Sequence, residues 1–138
     1  MVDTARRVHC FSTQVPDQPG AAFKVLATLV SSGVNLLACS GTQRGGQALI
    51  DIVPDDEASF EDAARAAGLS FALQKSGFLI QGDDRPGALA ENLKKLADAN
   101  INVMAIDAVV AGAGRWAANV WVDPDDVSKA AEVLGLPH

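Results

Sequence analysis

Basic residues are scarce in this sequence: eleven Lys and Arg stand against seventeen Asp and Glu, for a formal charge of −6. No cluster of Lys and Arg offsets that balance, and binding to nucleic acid or to an anionic membrane surface needs a basic patch. Neither is expected as a partner. Long apolar runs are also missing. Hydrophobic residues make up 49% of the chain, yet none of their runs approaches the roughly 20 residues that span a bilayer. Met1 to Arg7 lacks the apolar core of a secretory signal, so a cytoplasmic chain is expected.

Cysteine is limited to Cys10 and Cys39, in keeping with a reducing compartment. The strand order argued below sets one strand between them, roughly 10 Å, which is too far for a disulfide. Both are read as small core residues. The chain has no CxxC, no His-rich cluster and no P-loop, so no metal or nucleotide cofactor is expected. His9 has no Ser, Cys or carboxylate at a recognisable spacing and reads as structural or exposed. Without a nucleophile–base pair, no catalytic residue is assigned and an enzyme is not expected.

What the chain does have is an internal copy. Asp17-Gln18-Pro19-Gly20 precedes Ala22, Leu26, Leu29 and Val30, and one offset carries them onto Asp84-Arg85-Pro86-Gly87, Leu89, Leu93, Leu96 and Ala97. In each copy a strand ends in an Asp-x-Pro-Gly turn and a helix opens with its apolar residues on one face. The first strand is read at Val8–Val15, stopped by Pro16. Helix Ala21–Ser32 ends at Gly33, and its copy ends at Asn100, residues that tolerate the left-handed stop.

Second strands follow at Val34–Ser40 and Ile101–Asp107. A Gly41–Gly46 loop leads to the third strand, Ala48–Val53, whose Ile50 and Ile52 are matched with Val120 and Val122. Pairing Pro54 with Pro124 makes the second hairpin loop three residues longer. Phe60, Ala63, Ala64 and Ala67 then repeat as Val127, Ala130, Ala131 and Leu134, at helical spacing. Asp55-Asp56-Glu57 and Asp123-Pro124-Asp125-Asp126 read as helix starts rather than calcium loops. Trp121, opposite in phase to Val120 and Val122, is expected on the helix-free face, packed rather than stacked on a ligand.

Leu69–Gln74 completes β-α-β-β-α-β in the first copy. The fold class is therefore α+β: two ferredoxin-like units in tandem, residues 1–75 and 76–138, the second lacking its last strand. A unit of this size is marginal alone, so a shared interface is expected.

The two D-x-P-G turns, with Gly33-Val34-Asn35 and Asn100-Ile101-Asn102 opening the second strands, resemble the ACT domain family over almost the whole chain. The resemblance implies a regulatory protein that binds an amino acid and modulates a metabolic enzyme, with ligand between paired domains. Carried over, the ligand-binding residues are Asp17, Gln18, Gly20 and Asn35, and Asp84, Arg85, Gly87 and Asn102. If one turn alone retains ligand, the first is favoured, because its unit is complete.

The chemistry of these residues suits an amino acid. Amides at Gly20 or Gly87 open a helix, where unpaired N–H groups and the helix dipole favour a carboxylate. Asp17 or Asp84 offers an acceptor for the ammonium, and the Asn35 or Asn102 amide serves either end. Each Asp equally reads as a turn-stabilising residue, and each Asn as a local hydrogen-bonding one. On that reading the chain is a protein–protein interaction module without ligand.

Family members often pair through their second strands. Within one chain that pairing would need Lys75-Ser76-Gly77 to span roughly 29 Å, and three residues reach about 10 Å. Two arrangements remain: stacked sheets, or a hairpin of Leu69–Gln74 with Phe78–Gly82 that covers the bare edge of the second unit. Both leave the second strands free to build a homodimer.

Overall fold

The computed structural model describes residues 3–136. Its strands are β1 (Thr4–Pro16), β2 (Leu36–Arg44), β3 (Gln47–Pro54), β4 (Ala72–Asp83), β5 (Val103–Gly112) and β6 (Arg115–Val122). The helices are α1 (Ala21–Ser31), α2 (Glu57–Ala66), α3 (Ala88–Asp98) and α4 (Val127–Val133), the last preceded by a 3-10 turn at Pro124–Asp126. Hydrogen bonding orders the strands β2-β3-β1-β4-β6-β5. The chain divides into two compact units: His9–Gln74, and the chain from Lys75 onward together with the stretch ending at Val8.

In the N-terminal unit β1 and β2 flank β3, both antiparallel to it. The helix-facing residues Phe11, Val15, Ile50 and Ile52 pack with Val25 and Leu29 of α1 and with Phe60, Ala63 and Ala64 of α2. Helix α2 starts where the acidic run predicts, with Asp56 accepting from the Ser59 amide at 3.1 Å, which satisfies one donor of the first turn. Cys10 is buried, but Cys39 is exposed and not a core residue. It lies on β2, with only one neighbouring strand to cover it. Partial desolvation of its thiol and the nearby Asp51 charge push its pKa up.

The C-terminal unit repeats the plan. β6 lies between β4 and β5, antiparallel to both, and Phe78, Ile80, Leu96, Ile101, Trp116, Ala118, Val120, Val122, Ala130 and Ala131 form its core. The place of its missing last strand is taken by the first residues of β1: Ala5 packs against this core, and the Thr4 hydroxyl donates to the Gln81 carbonyl at 3.5 Å. Charged Arg6 and Arg7 hide that strand from a reading of apolar pattern.

Three sequence expectations are corrected. The hairpin of Leu69–Gln74 with Phe78–Gly82 does not form, because Ala72–Asp83 is one unbroken strand. Gly77 is extended in it rather than turning, and pairs with Trp121. The Gly41–Gly46 loop shrinks to a turn at Gly45-Gly46, since β2 runs on through Arg44. Finally, Val15 pairs with Ala48 and Gly82 with Trp116, so Ile50 and Ile52 correspond to Ala118 and Val120. Pro124 belongs to the 3-10 turn, not to the strand end that Pro54 occupies.

Candidate functional site

The two Asp-x-Pro-Gly turns are conformational copies. Gly20 and Gly87 both sit at φ 85°, the left-handed region that glycine enters without strain. The Lys24 amide bonds the Gly20 carbonyl at 3.0 Å and the Glu91 amide bonds Gly87 at 2.9 Å, so a helix begins at once. The Asp17 and Asp84 amides tie each turn to the tip of its hairpin, at the Gly46 and Gly114 carbonyls, 3.3 and 2.8 Å away.

Their surroundings differ. At the second turn a pocket of about 510 Å³ is walled by Asp84, Arg85, Gly87, Leu89, Ala90 and Leu93 on one side and by Ala108, Val109, Val110 and Trp116 on the other. Asp84 and Gly87 are exposed; the Ala88 amide donates to the Arg85 carbonyl at 3.3 Å, and the next two amides of α3 have no partner inside the helix. The pocket thus joins a carboxylate, a helix start and an apolar wall.

Arg85 is already engaged. Its two terminal nitrogens donate to the two oxygens of Asp3 at 3.0 Å each, one reaches Glu91 at 2.6 Å, and the other the Asp83 carbonyl at 3.2 Å. Asp3 also accepts from the Asn92 amide at 2.8 Å and the Trp116 indole at 3.4 Å, and its side chain is 7% exposed. Asn92, 3% exposed, donates to the Ala88 carbonyl as well, at 2.9 Å.

At the first turn Asp17 is exposed and accepts from the Gln43 amide of β2. Gln18, standing where the second turn has Arg85, is exposed. The structure does not bring Asn35 or Asn102 to the turns. Asp17 lies by Gly46 at the start of β3, whereas the Asn35 carbonyl accepts from Asp55 just beyond the end of β3, at 2.9 Å. An eight-residue strand separates them, about 26 Å at 3.3 Å per residue. Asn102 precedes Val103, which pairs with Val122 at the end of β6, and so stands at the end of the strand remote from Gly114.

No protein-family model matches the sequence, and no curated protein matches it either. Solved structures do match it in shape. Protein BT0572 from Bacteroides thetaiotaomicron superposes with a TM-score of 0.77 at 18% identity, over 94% of this chain and 88% of that one. The ligand-free regulatory subunit of aspartate kinase from Thermus thermophilus gives 0.66 at 16%, over 97% and 95%. Aspartokinase III of E. coli, solved with lysine and aspartate, gives 0.54 at 14% over 97% of this chain and 32% of its own. The fold is ACT-like.

In the ACT-like C-terminal unit, the residues that sequence reasoning misses are Asp3, Glu91, Asn92, Val109, Val110 and Trp116. Asn92 carried a signal: it falls three residues after Leu89 and four before Leu96, a polar side chain on the buried stripe. That stripe is Ala88, Asn92 and Leu96, with Leu89 and Leu93 half-buried, while Ala97 is exposed. Asp3 carried none, since its partners lie more than eighty positions away.

The Arg85 guanidinium, helped by Asn92 and Trp116, holds the Asp3 carboxyl at about 2, below its ordinary 3.8 and against the opposing effect of burial. A carboxyl whose pKa is depressed on folding contributes stability above its unfolded pKa and loses it as pH falls toward the folded one. Between about pH 5 and pH 2 the wild-type chain is therefore expected to lose about 2 kcal/mol that Asp3→Asn does not lose. Urea titrations across that window check this, and parallel curves for the two chains refute it.

Proposed function

We propose that the chain is a cytoplasmic regulatory protein that binds an amino acid at Asp84–Gly87 and modulates a metabolic enzyme. The observation that carries this reading is the pocket at the second turn, where Asp84 faces an apolar wall beside the opening of α3. Asp84 accepts the ammonium, the Leu89 and Ala90 amides take the carboxylate, and Leu89, Leu93, Ala108 and Val110 receive the side chain. The resemblance to aspartate kinase regulatory subunits, and the lysine and aspartate held by aspartokinase III, support an amino acid as ligand and an enzyme as target. The second turn is preferred to the first because Gln43 already engages Asp17. No helix among the described residues is long and apolar enough to cross a membrane.

The same reading includes a homodimer through a second strand. β2 and β5 end the strand order, but the exposed residues of β2 from Ser40 to Arg44 are polar or Gly, whereas β5 exposes Met104, Ile106, Val109 and Val110. β5 is the seam, since an edge strand carrying such residues gains most by pairing. Sedimentation is expected to show a dimer at micromolar protein, and a monomer with and without amino acids refutes this part.

Calorimetry with the twenty amino acids tests the central claim. One or a few are expected to bind, with Asp84→Ala weakening them at least about tenfold through loss of a charge-assisted hydrogen bond. Asp17→Ala is expected to bind as the wild type does. No heat and no thermal shift with any amino acid refutes the reading and favours an interaction module, for which exposed Phe23 and Val30 of α1 offer a surface.

A further inference from the structure

The N-terminal unit shows what the Asp3 cluster replaces. Strand register and the turn offset place Val15, Val25 and Ala48 where the C-terminal unit has Gly82, Asn92 and Trp116. In the N-terminal unit these positions are ordinary core. In the C-terminal unit they surround a carboxylate. Gly82 completes the cavity, because a Cβ there would lie 1.9 Å from an Asp3 oxygen.

Both oxygens of Asp3 are met by Arg85 in a fork, one further by Asn92 and the other by the Trp116 indole. Two parallel N–H···O bonds from guanidinium to carboxylate form the strongest and most directional of such contacts. Asn92 is itself buried, so its amide has no alternative partner in water. Arg85 and Trp116 also line the pocket at the second turn. The carboxylate receptor and the ligand pocket therefore share a wall, and Asp3 fills the receptor from within the chain.

Charge around the pocket follows from this. Arg85 is matched by Asp3 and Glu91, and Arg115 by Asp83 at 3.1 Å. Among the ion pairs of the described residues none involves Asp84. The pocket presents one uncompensated carboxylate and no free cation among its lining residues.

We propose that Arg85, Asn92 and Trp116 form a carboxylate receptor, and that Asp3 sets the pocket's selectivity by occupying it. With Asp3 in place Arg85 is unavailable, so the pocket admits a zwitterion with an uncharged side chain and disfavours a ligand bearing a second carboxylate. Without Asp3 the guanidinium keeps Glu91 but, with the Asn92 amide, loses its buried anion and takes one from solution. Asp3 is thus a specificity-determining residue that acts through Arg85 rather than by touching the ligand. The selectivity rests on the proposed amino-acid site, whereas the receptor does not.

The test uses the full chain carrying Asp3→Ala. Formate and acetate are expected to raise its melting temperature well beyond their effect on the wild type, as refilling of an emptied receptor requires. Succinate and L-glutamate are expected to bind it at least about tenfold more tightly than they bind the wild type. Adding Arg85→Gln to Asp3→Ala is expected to abolish both gains. If Asp3→Ala does not fold in chloride, Asp3→Ser, which also removes the carboxylate and leaves room for one, is compared with the wild type in the same salts. Equal responses of variant and wild type to formate, acetate and succinate overturn the proposal. A wild type that ignores every amino acid while Asp3→Ala gains anion binding refutes the amino-acid site and the selectivity but leaves the receptor standing.

Discussion

Gly77→Ala is expected to destabilise the protein by about 3 kcal/mol or more, among the largest effects of any single methyl group. Gly77 is extended within β4 and pairs with Trp121 of β6, so no unusual backbone angle demands glycine there. Space does. A Cβ would lie 2.0 Å from the Val120 carbonyl oxygen, 2.8 Å from Cε3 of Trp121 and 2.9 Å from its Cα. Two of those three atoms are backbone, which cannot swing aside, so the β4–β6 ladder must part.

Trp121 is buried with the Lys75 ammonium 5.9 Å from its ring centroid, and its Cε3 lies where the added methyl group would go. Urea unfolding measures the loss, and tryptophan emission is expected to shift to the red as Trp121 meets water. Gly41→Ala is the control: on β2 its Cβ meets nothing closer than Ile50 at 3.8 Å, so it is expected to be neutral or slightly stabilising. A loss below about 1 kcal/mol for Gly77→Ala with unchanged emission refutes the account.

Gly77 also marks where the sequence stops being readable. Lys75-Ser76-Gly77 reads as a connection because glycine and serine punctuate chains, and punctuation is a local signal. The actual reason for the glycine is the β6 backbone and indole at Val120 and Trp121, more than forty positions later, and nothing local reports it. Where the determinant is local, the reading holds. Asp-x-Pro-Gly gives both turns with matching φ at Gly20 and Gly87, and the acidic run at Asp55-Asp56-Glu57 caps α2 through Asp56.

The candidate site divides the same way. Asp84 and Gly87 are found because the turn advertises them, while Asn102 is chosen for its motif and lies at the far end of the sheet. Asp3 and Trp116 join Arg85 only through strand pairing across most of the chain, which also supplies the last strand that the second unit lacks. Arg6 lies on the face opposite Ala5 and Arg7 on the same face as Ala5, yet both are exposed, so charge there costs little and disguises the element.

Phe60→Ala is expected to cost the N-terminal unit about 3–5 kcal/mol. Phe60 anchors α2 on its sheet, 1% exposed, with the rings of Phe11 and Phe71 each 5.0 Å from its own, the second edge-on. Such aromatic pairs add about 0.5–1.5 kcal/mol each beyond the area they bury. Truncation removes both pairs and leaves a void between a strand and a helix whose other buried residues, Ala63 and Ala64, are too small to fill it.

Phe71 immediately precedes β4, and neighbouring Ser70 accepts from the Thr13 hydroxyl at 2.7 Å, so the damage should extend to the seating of that segment on β1. Since a unit of this size holds only a few kcal/mol in reserve, such a loss is comparable with its whole stability. Amide hydrogen exchange is expected to show protection collapsing in α2, β1 and β3. Phe60→Leu keeps most of the volume and is expected to lose less than half as much, about 1–2 kcal/mol. Equal losses for the two variants would mean that the aromatic contacts rather than the cavity dominate, and a loss under about 1.5 kcal/mol for Phe60→Ala would show that the triad does not hold the unit together.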